Sequence, residues 1–360
     1  MFPYILTFFL SFIFLKIATK TKKKKLLPIM LSVVPLIILA ALRSDKIGTD
    51  MQVYIIPIFE SACNYTNLSD FIENSGVEYL YSLFTFLSTR ISKSPEFYLG
   101  IMNAFVVLPV TYSAYKLKNY SSILMIIFLF CMYMYNNTLN MQRQGIALSF
   151  SFLALAFYIE RKYIKGLIVL CIGFLFHTSA IIGISIPFLF WFTGKYPFKK
   201  YKFSYIIILF TSIIILISLI SIGFYLISIG VLPEKYIIYF TDSVFGAGLS
   251  STDLVYRFFV LFIVILARKD KSKDSHLLDF FLVVSLVDII ASLSGLIISF
   301  LTRISLYTTI VSYFSLAYCS KINGRYNNII SVMVVSMYIL YWVYMYGIAG
   351  VSATMPYSLR

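Results

Sequence analysis

Long apolar stretches separated by short basic clusters follow one another along the whole chain. Twelve of these stretches predict membrane-spanning helices, because such a helix needs about 20 mainly apolar residues. They lie near 3–19, 26–42, 97–115, 120–137, 145–159, 164–177, 178–193, 204–225, 254–267, 277–300, 302–319 and 328–348. A thirteenth, weaker stretch covers 79–91. Since the stretches are continuous and do not alternate with polar residues, the pattern is typical of an all-α polytopic membrane protein and not of a β-barrel.

The composition supports this fold class. Hydrophobic residues make up 60% of the 360 residues and charged residues only 12%, with a mean hydropathy of +0.88. Because a soluble domain carries about 25% charged residues, a soluble enzyme, a disordered protein and a fibrous protein are excluded. The hydrophilic segments are too short for a separate soluble domain. We therefore expect one transmembrane domain, 1–360, with the outer loops 43–78 and 230–253 as appendages.

The net charge of +15 indicates the sidedness of the chain. In a soluble protein it would suggest a nucleic-acid partner, but in a membrane protein the cytoplasmic loops carry the excess of lysine and arginine. With every basic cluster in the cytoplasm, 21 of the 30 positive charges are inside, and both termini and the segment 43–76 are outside. The stretch 79–91 has about 13 residues, too few to span, so it is predicted to be a re-entrant or interfacial helix.

Two apolar stretches between Lys165 and Lys195 are predicted to form a hairpin. Basic clusters flank the pair on both sides, and a single straight helix would place one of those clusters outside. The tip of the hairpin lies near His177, below the outer surface of the membrane. A histidine is therefore expected at the outer side.

Several polar residues that membrane insertion does not explain gather on this predicted outer side. They are Arg43, Asp45, Asp50, Arg143, Gln144, His177, Arg257 and Arg303. One outer pocket would account for all of them. Simpler explanations exist for some: arginines can snorkel to the interface, Arg257 can pair with Asp253, and His177 can be a packing residue. Asp288, in the middle of a span, is either a structural hydrogen-bond partner or a proton relay.

Arginine and histidine suit the chemistry of a lipid-linked substrate. Guanidinium groups hold phosphate bidentately and keep their charge, so Arg43, Arg143 and Arg303 are candidates for a diphosphate clamp. A histidine near neutral pH can accept a proton from a sugar hydroxyl, which makes His177 a candidate general base. An anionic head on a lipid tail fits a glycan on a polyprenyl diphosphate. A phospholipid or an acyl donor would need similar residues.

Short sequence motifs occur at these same positions. They are Met1-Phe2-Pro3-Tyr4, Arg43-Ser44 with Gly48-Thr49-Asp50 and Tyr54, Phe59-Glu60, Glu78-Tyr79, Arg143-Gln144 with Ile146-Ala147, Glu160-Arg161-Lys162, Phe176-His177 with Ser179-Ala180 and Pro187, Arg303 with Tyr307, and Met355-Pro356-Tyr357. In these motifs the sequence resembles the EpsG family, the Wzy-like polymerases of bacterial polysaccharides. The resemblance is densest over residues 1–190. It departs at Glu78-Tyr79-Leu80, where the family usually has a glycine before the aromatic residue.

The resemblance implies a GT-C-like polymerase in the bacterial cytoplasmic membrane. A glycan on undecaprenyl diphosphate would be transferred to another lipid-linked repeat unit at the outer face, in exopolysaccharide, capsule or O-antigen synthesis. On this basis the catalytic candidates are His177, Asp45 and Asp50. The substrate-binding candidates are Arg43, Ser44, Thr49, Tyr54, Arg143, Gln144 and Arg303.

The same reasoning defines the expected cofactors and partners. No nucleotide sugar is needed, and no cofactor is expected. The sequence has no DxD-type metal pair, Asp45 and Asp50 being the nearest candidates, so a metal-independent reaction is favoured. The expected partners are an undecaprenyl-diphosphate-linked oligosaccharide, the lipid bilayer, a chain-length regulator and a flippase, and nucleic acid is not among them.

Two other functions remain open. A flippase for the lipid-linked oligosaccharide would need charged residues along both leaflets, whereas the motif residues lie almost entirely on the predicted outer side. Asp288 is the one feature that favours transport. A membrane acyltransferase also uses histidine and arginine, but it gives no account of the segment 43–50.

Cysteine labelling tests the predicted sidedness. Lys46→Cys and Ser358→Cys, each in a Cys63→Ser background, should react in intact cells with a thiol reagent that does not cross the membrane. The reason is that the distribution of basic clusters places both positions outside. The mass shift of the labelled protein on a gel is the measurement. Reaction only after permeabilisation of the cells would contradict the predicted topology.

Overall fold

Helices form nearly all of the regular structure in the described part of the chain. The computed structural model describes residues 1–20, 25–229, 251–268, 275–296, 302–322 and 327–360. Within these ranges the β structure is limited to an isolated antiparallel bridge between Arg43 and Leu359. The all-α prediction is thereby confirmed. The predicted loop 230–253 lies outside the described residues up to position 250.

The helix boundaries follow the predicted apolar stretches closely. In chain order the helices are α1 (Phe2–Lys20), α2 (Leu26–Leu31), α3 (Val34–Ala41), α4 (Ile56–Asn64), α5 (Leu68–Asn74), α6 (Tyr79–Ile91), α7 (Pro95–Lys116), α8 (Ile123–Phe130), α9 (Asn136–Asn140), α10 (Gln142–Ile159), α11 (Tyr163–Phe176), α12 (Ser185–Lys195), α13 (Lys202–Ser228), α14 (Ser251–Arg268), α15 (Ser275–Leu293), α16 (Thr302–Ile322) and α17 (Asn327–Trp342). π-helical turns or 3-10 helix extend some of them, at Met51–Ile55 before α4, Cys131–Tyr135 between α8 and α9, Thr178–Ile184 before α12 and Val343–Ile348 after α17.

Six helical segments among the described residues are long and apolar enough to cross a membrane. They are Phe2–Lys20, Pro95–Asn119, Ile123–Asn140, Thr178–Lys195, Ser275–Leu296 and Asn327–Ile348. This agrees with a membrane protein, while the number of about twelve spans stays a prediction. The short helix predicted at 79–91 is present as α6, and its re-entrant or interfacial position also stays a prediction.

The second predicted stretch, 26–42, is divided into two helices. α2 ends at Leu31, and α3 begins at Val34 with Pro35 in its first turn. Proline lacks a backbone N–H, and its ring clashes with the carbonyl four residues earlier, which belongs to Leu31. At this break the hydroxyl of Ser32 donates to the carbonyl of Ile29 at 2.7 Å.

The segment 43–78, predicted as an outer loop, is folded into helices. α4 and α5 pack against α6 around the buried side chains of Ala62, Phe71 and Phe86. The guanidinium of Arg90 lies 4.2 Å from the centre of the Phe86 ring and donates to the carbonyl of Ala62 at 2.8 Å. This small core gives α4, α5 and α6 fixed positions, so residues at their ends can hold defined geometry.

The chain divides into two compact units. The first contains Met1–Ile181 and Val332–Arg360, and the second contains Ile182–Ser331. In the first unit α10 packs against α7 and α11, and α3 packs on α7. In the second unit α15 packs against α12, α13, α14 and α16. The single transmembrane domain stays a prediction.

A buried ion pair lies inside the second unit. Asp288 accepts hydrogen bonds through Oδ1 from the hydroxyls of Thr308 at 2.7 Å and Thr309 at 2.8 Å. Its Oδ2 lies 3.4 Å from Nε of Arg257, and Arg257 also donates to the hydroxyl of Ser305 at 2.7 Å. Charges in an apolar interior need such partners. These contacts match the structural interpretation of Asp288.

Residues 350–360, named here the closing segment, return to the beginning of the first unit. Backbone hydrogen bonds pair them with residues 42–48: Ser44 N to Ser358 O, Gly48 N to Ala353 O and Arg360 N to Leu42 O. The Tyr4 hydroxyl of α1 donates to the carbonyl of Thr354 at 2.9 Å. The stretch that follows α3 is therefore fixed by residues from a distant part of the sequence.

Two glycines with left-handed backbone allow a matched stability test of this region. A Cβ at Gly48 (φ +92°) would lie 3.3 Å from Asn140 Cα and from the carbonyl oxygen of Leu139, whereas a Cβ at Gly76 (φ +65°) would have no neighbour within 4 Å. Left-handed geometry costs either alanine variant about 1–2 kcal/mol. Gly48→Ala must in addition displace backbone, so its unfolding temperature in detergent should fall below that of Gly76→Ala. Equal temperatures for the two variants would contradict the close packing at Gly48.

Candidate functional site

The carboxylate of Glu78 joins three parts of the first unit. Glu78 is the extended residue immediately before α6. Its Oε2 accepts a hydrogen bond from Arg143 Nη1 at 2.8 Å. Its Oε1 lies 2.6 Å from His177 Nδ1 and accepts the backbone N–H of Thr178 at 3.2 Å. One carboxylate thus binds the start of α10 and the end of α11 to the start of α6.

His177 owes its position to the end of α11. The helix stops at Phe176, and His177 has extended backbone angles (φ −161°, ψ 125°) with its N–H bonded to the carbonyl of Gly173. The ring of Phe176 is buried against Phe84 and Phe150, with centroids 5.8 and 5.9 Å away. This aromatic packing anchors the helix end, and the extended residue that follows reaches Glu78.

The break at His177 agrees with the predicted tip between Lys165 and Lys195. α11 packs against α10 and α6 in the first unit. α12 belongs to the second unit, where it packs against α15. The hairpin arrangement of the two limbs stays a prediction.

The contact with Glu78 determines what the imidazole can do. A neutral His177 that donates its Nδ1–H to the carboxylate has Nε2 as its proton acceptor, a tautomer assigned from this hydrogen bond. Among the described residues, none forms a hydrogen bond with Nε2. The side chain is 25% exposed, so the ring is accessible to water or to a ligand. A carboxylate behind an imidazole fixes its orientation and stabilises the protonated form.

Arg143 is held by aromatic rings as well as by Glu78. Its guanidinium carbon lies 4.9 Å from the ring centre of Tyr54 and 5.9 Å from that of Tyr81. The Tyr81 hydroxyl bonds the hydroxyl of Tyr98 at 2.6 Å and donates to Gln142 Oε1 at 2.8 Å. This network fixes the aromatic surroundings of the guanidinium.

Glu78, Arg143 and His177 are named here the Glu78 group. The contacts within this group determine the protonation state of the Glu78 carboxyl. Burial alone would raise the pKa of its carboxyl above the ordinary value of 4.5. The hydrogen bond from His177 and the positive charge of Arg143 outweigh burial and lower this pKa to about 2. For Tyr54, burial and the charge of Asp50 raise the pKa of the phenol, so the ring keeps its proton. Glu78 is therefore an anion, and Tyr54 a neutral hydroxyl, at neutral pH.

A cavity of about 370 Å³ lies next to this group. Its walls come from the π-helical turn before α4, from α4 and α5, and from the connection to α6. The polar and aromatic residues that line it are Tyr54, Ser61, Phe71, Asn74, Ser75 and Arg143. Ligand sites commonly have volumes of about 300–1,000 Å³, so the space is sufficient for a small ligand. Arg143 belongs both to the cavity wall and to the Glu78 group.

Arg43 occupies a different environment from Arg143. Its side chain is fully buried and donates to the carbonyls of Ala40 at 3.0 Å and Leu139 at 3.2 Å, and to the sulfur of Met51 at 3.4 Å. Ala40 and Leu139 lie in the last turns of α3 and α9, where helix dipoles favour a positive charge. These contacts give Arg43 a role in packing, and it does not line the cavity.

The polar residues after Arg43 dock on the end of α9. Asn140 Oδ1 accepts hydrogen bonds from the Thr49 hydroxyl at 3.0 Å and from the Asp50 backbone N–H at 2.8 Å. The hydroxyl of Ser44 bonds that of Ser358 at 2.6 Å. Asp45 is half-buried in the same stretch. This part of the motif therefore holds the chain that leads to Tyr54.

The predicted site residues fall into three groups. Tyr54, Arg143 and His177 meet at Glu78 or at the cavity beside it, and Asp50 neighbours the Tyr54 phenol. The second group, which packs outside the cavity lining, is Arg43, Ser44, Asp45, Thr49 and Gln144, the last of them buried in α10. Arg303 lies in the first turn of α16 in the second unit. Their roles as ligands or catalysts stay predictions.

Sequence reasoning missed Glu78 and Gln142. Glu78 carried a signal, because it is an acidic residue at the point where the chain departs from the usual glycine of the resembled family. An anion there, in a chain with 15 acidic residues against 30 basic ones, was a candidate partner for a nearby arginine or histidine. Gln142 carried no signal beyond its position two residues before Gln144.

Comparisons with known proteins place the chain in a family. The model described as the EpsG family matches residues 26–359, nearly the whole chain, so the chain belongs to the EpsG family. This family is associated with polysaccharide polymerase activity. No curated protein and no solved structure matches the chain.

Acid titration tests the anionic state of Glu78. Since its pKa is lower in the folded protein than the ordinary 4.5, the stability that the charged group contributes is complete above about pH 4.5 and is lost as the pH falls toward 2. The unfolding temperature of the wild type in detergent should therefore exceed that of Glu78→Gln at pH 7. The difference should shrink between pH 4.5 and 2.5. Glu73→Gln, which removes an exposed carboxylate of α5, is the control.

Two results would contradict this description. One is a difference between wild type and Glu78→Gln that is the same at pH 7 and pH 2.5. The other is an equal loss of stability in Glu73→Gln and Glu78→Gln at pH 7, because the exposed carboxylate lacks the contacts with Arg143 and His177.

Proposed function

We propose that this member of the EpsG family is a polyprenyl-diphosphate-dependent glycosyltransferase that polymerises a bacterial surface polysaccharide. It would transfer a glycan from undecaprenyl diphosphate to another lipid-linked repeat unit at the outer face of the cytoplasmic membrane. The observation that carries this proposal is the 2.6 Å contact between Glu78 and His177 Nδ1. It orients an imidazole whose other nitrogen can accept the proton of a sugar hydroxyl.

In this reaction His177 acts as the general base. Its Nε2 takes the proton of the acceptor hydroxyl while that oxygen forms a bond to the anomeric carbon of the donor glycan. The bond from this carbon to the diphosphate oxygen breaks, and undecaprenyl diphosphate leaves with the electron pair. The negative charge of Glu78 stabilises the imidazolium that forms. Arg143 holds the carboxylate in place from its other oxygen.

The diphosphate of the donor needs positive charge elsewhere in this proposal. Arg43 is engaged with backbone carbonyls and Arg143 with Glu78. Arg303, the third predicted clamp residue, lies in the second unit, and its part in binding the diphosphate stays a prediction. A guanidinium suits a leaving diphosphate because it binds two oxygens at once and keeps its charge.

The membrane context of the proposal comes from the sequence. It comprises about twelve spans in a GT-C-like arrangement, with a flippase that delivers the lipid-linked repeat and a chain-length regulator that limits the product. The charge of Asp288, which favoured a transport function, is matched by Arg257 and by two threonine hydroxyls. Chemistry at the Glu78 group is therefore preferred to transport.

Replacement of His177 tests the base. His177→Gln keeps a hydrogen-bonding group but cannot accept the proton, so the rate of polymerisation of purified lipid-linked repeat units should fall by about 10²–10⁴-fold. Cells that carry the variant should accumulate single-repeat lipid-linked glycan. Product length on a gel and the amount of unpolymerised repeat are the measurements.

The other histidine provides the matched control. His276 packs on Phe190 in the second unit and bonds its carbonyl at 2.9 Å, so His276→Gln should keep near-normal polymer length. Polymer of normal length from His177→Gln would contradict the general-base role of His177 and leave it only an orienting role. Absence of polymer from the wild-type protein with pure substrate would eliminate the proposed function itself.

A further inference from the structure

The cavity beside Arg143 is electrically balanced. Among the described residues that line it, Arg143 is the one charged side chain, and its guanidinium is paired with Glu78 at 2.8 Å. Glu78 is also the partner of His177 and of the Thr178 N–H. The charge of Asp50 acts on the Tyr54 phenol at the same wall. The cavity therefore presents no surplus of positive charge to a ligand.

A diphosphate is a poor match for such a cavity. It carries at least two negative charges, and their removal from water requires positive partners in the site. Arg143 donates to Glu78 through Nη1, and a guanidinium has further N–H groups. A diphosphate that used them would lie beside the carboxylates of Glu78 and Asp50, while a diphosphate that displaced Glu78 would separate the half-buried ion pair. Both effects oppose binding.

The lining instead suits an uncharged ring with many hydroxyls. Apolar surface is provided by Val53, Pro57, Ile58 and Val77. Such surface can cover the C–H faces of a sugar, since burial of apolar area is favourable whatever group supplies it.

Two polar lining residues, Ser61 on α4 and Asn74 on α5, have capacity for hydroxyl groups. The Ser75 hydroxyl, in contrast, is engaged with Ile72, Val77 and Ser82. The Asn74 amide N–H₂ donates to the carbonyl of Asp70, which leaves the side-chain oxygen as an acceptor. A few convergent polar groups on a mainly apolar wall are the usual composition of a small-molecule site.

We infer that this cavity binds an uncharged sugar, and that it excludes the diphosphate of the donor. The inference rests on the proposed function for the identity of that sugar, which is the terminal sugar of the acceptor repeat. Arg143 connects the cavity to the proposed base, because it lines the cavity and holds the carboxylate that orients His177. The acceptor hydroxyl and its base are thus positioned by the same ion pair.

Calorimetric titration of the full-length protein in detergent tests this inference. One probe is the phosphate-free oligosaccharide released from the polysaccharide of the source cells, and the other is inorganic diphosphate. Ser61→Trp fills the cavity from the exposed side of α4, and Ser69→Trp places the same group on an exposed position of α5 that does not line it. Oligosaccharide affinity should fall at least about tenfold in Ser61→Trp, equivalent to about 1.4 kcal/mol. In Ser69→Trp it should stay within about twofold of wild type.

Diphosphate should not displace the oligosaccharide, and its calorimetric signal should be the same with Ser61→Trp as with the wild type. Displacement of the sugar by diphosphate, equal effects of the two tryptophan variants, or no binding of the oligosaccharide to the wild type would each overturn the inference. Polymer formation from lipid-linked repeats, measured on the same proteins, separates this outcome from the proposed function. If the wild type polymerises the repeats but Ser61→Trp leaves the oligosaccharide affinity unchanged, only the assignment of the sugar to this cavity is contradicted. If Ser61→Trp weakens oligosaccharide binding but the wild type forms no polymer, only the proposed polymerase function is contradicted.

Discussion

The carboxylate of Glu78 is the interaction on which the candidate site depends. A negative charge that is largely withdrawn from water is unfavourable unless donors surround it. Here the donors come from a guanidinium, an imidazole and a backbone N–H, on segments that are 65, 99 and 100 positions away in the sequence. The requirement to satisfy one anion thus brings together the starts of α6 and α10 and the end of α11. The same anion favours the tautomer in which His177 donates its Nδ1–H to Glu78.

Three arginines illustrate how differently this chain accommodates a cation that is partly or fully withdrawn from water. Arg143 and Arg257 each have a carboxylate partner, Glu78 and Asp288 respectively. Arg43 donates instead to carbonyls in the last turns of α3 and α9, where the partial negative charge of the helix ends serves the same purpose. A sequence shows three similar arginines at the predicted outer side. Only their partners distinguish a residue beside a cavity from residues that hold helices together.

The helices could be predicted because the apolar stretches that encode them are long and continuous. The folded segment 43–78 was missed because α4 and α5 have only nine and seven residues and bury one face each. The break before Pro35 could have been predicted from the sequence, because proline disrupts the helical turn that precedes it. Glu78 was not identified as the centre of the site, because its partners are adjacent only after α6, α10 and α11 have packed. For the same reason Arg43 was assigned to phosphate when its acceptor, Leu139, is 96 positions away.

The closing segment has a consequence for biogenesis. Ser44 and Ser358 are 314 positions apart, yet they share a hydrogen bond at the entrance to the stretch that leads to Tyr54. A ribosome adds about 5–20 residues per second, so many seconds separate synthesis of these two residues. During that interval the segment 42–48 cannot form its bonds with residues 353–360. A nascent chain already inserted in the bilayer therefore lacks the ordered connection between α3 and Tyr54 until residues 353–360 have been synthesised.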